Sequence, residues 1–194
     1  MTIQPLIDYI NRHISLTPHE EEVLRANVRL RKYLKNQYVV QQGDVCKYES
    51  FVIKGCIKTF YLDEAGSEHI VMFSVENWWT ADLGSFITQT PADYNLQCLE
   101  NCLLAQISYD VIEHLFDEIP KLERFFRIII QNALVASQKR IIRNLSLSAR
   151  DKYLAFKEEY PEVEQRVPQY MIAAYLGFTP EFLSKTKKQI LLSE

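Results

Sequence analysis

Near the C-terminal end of the sequence, Thr179, Pro180, Glu181, Ser184, Lys185, Lys187 and Lys188 collect hydrogen-bond donors, acceptors and positive charge at helical spacing. Glu181 can accept from a cytosine amino group and Lys185 can donate to a guanine edge. Lys187 and Lys188 supply charge suited to phosphate. The surrounding residues spell out the elements that would present them. Gln169 to Leu176 puts Ile172, Ala173 and Leu176 on one face of a short helix, and Gly177 stands where a sharp turn demands a positive φ. Thr179 suits an N-cap, Pro180 the first helical position, and Glu181 the positive end of the helix dipole. A second helix is predicted from Pro180 to about Leu192, with Leu183, Thr186 and Ile190 inward and Glu181, Ser184, Lys185 and Lys188 outward. Small Ala173 lets the two helices approach. The pattern predicts a helix-turn-helix that reads double-stranded DNA, with a plain helical hairpin as the simpler alternative.

Other chemistry is poorly supported. Cys46, Cys56, Cys98 and Cys102 form no CxxC pair, so they read as small buried hydrophobes, and no metal site is expected. Cys98 and Cys102 are expected to share a face of one strand. His13, His19, His69 and His114 are scattered, so a metal-dependent enzyme on a β-roll lacks its ligand cluster, and no catalytic residues are expected. The net charge of −3 disfavours nucleic acid only in the sum, because binding needs a local patch. Lys139, Arg140 and Arg143 form a second basic run, while Glu158, Glu159, Glu162 and Glu164 offset the total. No stretch approaches the length of a membrane span, and the start MTIQPLIDYINRH does not read as a signal peptide; a cytoplasmic location is expected.

Periodicity divides the 194 residues. Residues 1–35 read as helical, with Thr17-Pro18-His19-Glu20 as a helix start. Residues 36–110 read as short strands: Tyr38–Val40, Glu49–Ile53, Cys56–Leu62, His69–Ser74, Asn95–Leu99 and Leu103–Ser108, broken by Gly43-Asp44, Lys54-Gly55 and Glu64–Ser67. Tyr109 to Phe116 and then Pro120 to Leu145 return to helix. The long helix carries one apolar stripe through Leu122, Phe126, Ile129, Ala133 and Ala136, and another through Ile130, Leu134, Ile141 and Leu145. Two stripes need two partners: the strand domain on one side and a second copy of the helix on the other, which predicts a homodimer. Ala133 and Ala136 are expected in the tight seam.

Order and motifs together resemble the catabolite-activator / fumarate–nitrate-reduction (Crp/Fnr) regulator family. Phe51–Phe73 resembles its strand–Gly–strand–turn–strand core, Gln42-Gly43-Asp44 an earlier glycine turn, and Ala105–Tyr109 the last strand entering its closing helix. The resemblance implies an α+β fold with three parts. Residues 1–118 would be a cyclic-nucleotide-binding-like double-stranded β-helix (the sensor roll) with flanking helices, 119–145 a long dimer helix, and 146–194 a helix-turn-helix domain. It implies a transcription regulator with an operator DNA, a small-molecule effector and RNA polymerase as partners, and no membrane. The alternative is a ligand-binding module that regulates without touching DNA. Base contacts would fall on Pro180, Glu181 and Lys185, with proline replacing the family's common arginine. Because the sequence ends at Glu194, the family's wing is expected to be absent.

The sensor departs too. The family's Gly-Glu-Leu segment corresponds to Ala81-Asp82-Leu83 with Gly84, and its Arg-Ser/Thr-Ala segment to Ala92-Asp93-Tyr94-Asn95. No Arg or Lys lies between Gly66 and Lys121, and Asp93 is expected where a cyclic phosphate would sit. A cyclic nucleotide is therefore disfavoured. Trp78, Trp79, Phe86 and Tyr94 are expected to line an aromatic pocket for a neutral or apolar effector, with ordinary core filling as the alternative. Ser137 and Lys139 on the long helix are the nearest substitutes as phosphate donors.

Overall fold

Strands Tyr48–Lys54 (β3) and Cys102–Ser108 (β8) form the centre of the roll because their side chains are buried almost continuously, which suits strands covered on both faces. The computed structural model describes residues 2–193. The chain opens with α1 (Gln4–Asn11) and α2 (Pro18–Asn27). Thr17 and Glu20 form a reciprocal capping box at the start of α2. Then come β1 (Arg29–Tyr33), β2 (Tyr38–Val40), β3, β4 (Ile57–Leu62), β5 (Glu68–Ser74) and β6 (Trp79–Thr80). Helix α3 (Leu83–Thr88), β7 (Asn95–Cys98) and β8 complete the roll. Two antiparallel four-stranded sheets face each other, in the orders β1-β8-β3-β6 and β2-β7-β4-β5.

After β8 the chain is helical: α4 (Tyr109–Glu118), α5 (Lys121–Ser146), α6 (Ala149–Glu159), α7 (Val163–Arg166), α8 (Gln169–Leu176) and α9 (Pro180–Ser193). One core lies between the sheets and under α1, α4 and the first turns of α5. A second joins Phe60, Ile70 and Phe73 of the roll to Tyr153, Phe156, Tyr160, Ile172 and Tyr175 of the C-terminal helices. The helical end is thus docked on the β2-β7-β4-β5 sheet rather than tethered beside it.

Two expectations are corrected. Arg29–Tyr33 is a strand paired with β8, not the end of a helix. Its charged, half-exposed residues suit the edge position that β1 occupies, and pairing with β8 overrides their weak local preference. Cys98 and Cys102 do not share a strand: Cys98 closes β7 and Cys102 opens β8, where its thiol donates to the Glu100 carbonyl at 3.3 Å in the turn between. The same crowding explains Gly55, whose φ is +116°; a Cβ there would lie 2.4 Å from the Cys102 Sγ. Ala133 and Ala136 border a cavity between α5 and the roll and are exposed on α5.

Candidate functional site: recognition helix and sensor cavity

The C-terminal helix pair is built as its residues dictate. Gly177 ends α8 at φ +72°, and the Thr179 hydroxyl accepts from the Phe182 N–H at 3.2 Å to start α9. Ala173 and Leu183 are fully buried between the helices, with Thr186 and Ile190 beside them. The Thr186 hydroxyl donates to the Phe182 carbonyl at 2.9 Å, so its polar group is satisfied inside the contact. Glu181, Ser184, Lys185 and Lys188 form an exposed face, with Thr179 and Pro180 exposed at its head.

Lys187 stands apart from that face. Its ammonium pairs with Glu164 at 2.7 Å and lies 5.5 Å from the Tyr153 ring centroid. Tyr153 also donates to Glu164. Burial alone would raise the Glu164 carboxyl; Lys187 and Tyr153 together hold it below its ordinary value. One of the glutamates that offset the basic charge in the sum therefore takes a specific lysine out of the exposed set. The second basic run behaves likewise. Arg143 pairs with Glu159 at 2.7 Å, Arg140 turns inward, and only Lys139 of the three is exposed.

The docking of α6–α9 on the roll has an ionic anchor. Arg166, on α7, donates to Glu76 at 2.7 and 3.1 Å and to Glu100 at 3.0 Å. Burial would raise the Glu76 carboxyl, but Arg166 and the Gly55 N–H, at 2.8 Å, hold it low. The bidentate fork binds the turn that carries Glu100, between Cys98 and Cys102, to the helical end. Beside it, Phe73 packs against Phe156, Tyr160 and Tyr175.

A cavity of about 790 Å³ lies where roll, α5 and docked helices meet. The roll contributes Thr59, Trp78, Trp79, Ala81, Asp82, Leu83, Gly84 and Tyr94. Helix α5 contributes Ile129, Ala133, Ala136, Ser137 and Arg140, and the docked helices contribute Glu159, Tyr160 and Tyr175. The sequence reading placed most of the roll wall and Ser137. It missed the third wall, because Tyr160 and Tyr175 come from the helical end and reach the cavity only through tertiary docking. Phe86 is not on the wall; it is buried in the roll core against Tyr109, with ring centroids 5.7 Å apart. Asp93 is exposed and also off the wall.

Asp82 has a different use from the one its position suggests. It is 4% exposed, caps α3 by accepting from the Ser85 N–H at 3.0 Å, and accepts from the Asp93 and Tyr94 N–H groups at 2.8 and 3.0 Å. Its carboxylate ties the two segments that would cradle a cyclic phosphate to each other. Those backbone amides are thereby consumed by a protein anion. Among the described residues on the wall, Arg140 is the one cationic side chain. It donates to the Ile70 carbonyl at 3.1 Å and stacks 4.4 Å from the Tyr175 centroid. The arrangement does not fit a cyclic nucleotide held by the segment of residues 81–95. Among the described residues no cluster of His, Cys, Asp or Glu suits a metal ion.

Comparison with known proteins agrees with this layout. The cyclic nucleotide-binding domain family matches residues 30–118. The chain is 25% identical over 185 residues to the regulatory protein HlyX of Actinobacillus pleuropneumoniae, covering 88% of this chain and 75% of that one. It is 25% identical over 179 residues to the fumarate and nitrate reduction regulatory protein of Vibrio cholerae, covering 86% and 70%. Among solved structures, the c-di-GMP-responsive global regulator CLP of Xanthomonas campestris superposes with a TM-score of 0.73 at 18% identity, covering 91% of this chain and 93% of that one. FixK2 of Bradyrhizobium japonicum does so with a TM-score of 0.74 at 13% identity, covering 86% and 85%. Residues 30–118 form a domain of the cyclic nucleotide-binding type, and roll, long helix and helix pair stand in the order of the catabolite-activator / fumarate–nitrate-reduction regulators, to which the chain is similar over most of its length.

Proposed function

We propose that the protein binds its operator as a homodimer, reading bases with the exposed face of α9. The single observation that carries this reading is the face itself: Glu181, Ser184, Lys185 and Lys188 exposed on a helix whose opposite side is buried against α8. Glu181 and Lys185 are the base readers, and Thr179, Pro180 and Ser184 lie close enough to their end of the helix to help position it. Lys188 is the stronger phosphate contact; Lys187 must first leave Glu164 to make one.

The units are 1–118 as sensor, 119–145 as dimer helix and 146–194 as DNA reader. Ile130, Leu134, Ile141 and Leu145 of α5 are 42%, 58%, 57% and 84% exposed, which supports a second copy along that stripe. Two α9 helices related by the dimer axis would then enter successive major grooves. The sensor cavity is read as a site for an effector other than a cyclic nucleotide, since Asp82 occupies the usual phosphate cradle. Contact with RNA polymerase is carried over from the family.

Selection from random duplexes at low salt tests the central reading. Enrichment of a two-fold symmetric site with half-sites about one helical turn apart is the expected result. Failure to retain any duplex would leave a ligand-binding module that regulates without DNA.

A further inference from the structure

The chemistry of the cavity wall is specific enough to name a class of ligand. Its only positive charge among the described residues is Arg140, which has a backbone carbonyl and a ring as partners, and no carboxylate within ion-pair reach. Glu159, on the same wall, is already paired with Arg143. Arg140 can only donate, and its charge has no anionic partner on the wall. The rest of the wall is dominated by rings, from Trp78, Trp79 and Tyr94 on the roll and Tyr160 and Tyr175 on the docked helices.

We propose that this cavity takes a flat apolar monocarboxylate, with its carboxylate on Arg140 and its ring or chain between the aromatic walls. The volume suits a small organic ligand. One cation matches one anionic group. A cyclic nucleotide carries the same single charge, but its ribose and base would face rings instead of polar partners, and its usual cradle is closed by Asp82.

The inference rests on the reading of the roll as a sensor with a displaced phosphate segment, and it adds a mechanism. Arg140 stacks on Tyr175, and Tyr175 belongs to the first helix of the DNA-reading pair. A carboxylate that recruits Arg140 competes with that stack, while the ligand's ring gains contact with Tyr160 and Tyr175. The ligand therefore acts directly on how the helical end docks on the roll, and DNA must alter ligand affinity by the same factor.

The test uses the full chain and its own reporter. Trp78 and Trp79 are the two tryptophans of the sequence, and both line the cavity. Their emission can transfer energy to the pyrene of 1-pyrenebutanoate, with 1-pyrenebutanol as the uncharged counterpart. Saturable transfer is expected for the acid, with the alcohol about tenfold weaker, as the loss of a charge-assisted contact implies. Arg140→Gln should weaken the acid by about tenfold or more and leave the alcohol unchanged, while Arg140→Lys keeps part of the preference. Unchanged alcohol binding also shows that the variant is folded; if Arg140→Gln does not fold, Arg140→Lys and the acid-to-alcohol ratio of the parent decide. Saturating acid should shift operator affinity at least about fivefold. Equal binding of acid and alcohol, no transfer from either, or an Arg140→Gln variant that keeps the full preference would each overturn the proposal. Micromolar displacement by cyclic AMP would instead overturn the underlying sensor reading, which survives a failure of the pyrene acid alone.

Discussion

Leu134→Glu is the most direct probe of how two copies meet. Leu134 is 58% exposed on α5, one heptad before Ile141, which is 57% exposed. Beyond Ile129 no residue of α5 joins the roll core, so among the described residues this stripe is left exposed. Full burial of a leucine is worth roughly 1.5–3 kcal/mol, so covering what Leu134 still exposes gives about 1–2 kcal/mol. An isologous dimer loses that contribution twice, about 2–4 kcal/mol. Two carboxylates brought into one apolar seam add at least about 1 kcal/mol of desolvation and repulsion. The sum, near ~4 kcal/mol, corresponds to roughly a thousandfold weaker dimer. Sedimentation equilibrium of parent and variant at micromolar concentration reads it directly, and operator binding should fall with it. A monomeric parent, or a variant that associates as well as the parent, would refute the placement of the seam.

Other outcomes follow from the same geometry. Lys185→Ala should cost about 1–3 kcal/mol on the selected operator and relax discrimination at one base pair, seen in competition binding with single-base variants. Lys188→Ala should weaken all duplexes alike and flatten the salt dependence, whereas Lys187→Ala should change the salt slope less, because that lysine is held by Glu164. Arg166→Ala leaves Glu76 and Glu100 without their shared cation and should loosen the helical end, raising hydrogen exchange in α8 before that of β3 and β8. Burial pushes the Glu49 carboxyl up to about 7 from an ordinary 4.5, so the folded state holds a proton that the unfolded chain releases. Stability should therefore fall as pH rises through that window and stay low above it; Glu49→Gln should raise the denaturation midpoint in alkaline buffer and leave it unchanged in acid.

Local chemistry made much of this protein legible before any coordinates. Gly177, Thr179, Pro180 and the spacing of Leu183, Thr186 and Ile190 determine the helix pair, because turn conformation, capping and helical period are short-range properties. Alternating and β-branched runs placed β2 to β5, β7 and β8 to within a residue or two. The order of elements was enough to suggest the family. Properties created by contact between distant segments were not legible. The charged stretch Arg29–Tyr33 becomes a strand only because β8 offers it a ladder, and its own residues carry little period-two signal. Asp82 looks available for a ligand until the fold brings the Asp93 and Tyr94 amides onto it. Lys187 looks like a phosphate contact until Glu164, 23 positions earlier, takes its charge. Arg140 counted as part of a surface basic run, yet the docking of α8 on β5 turns it into the cation of a cavity. Charge and hydrogen-bonding capacity are written in the sequence, but which partner spends them depends on packing between segments that the sequence keeps far apart.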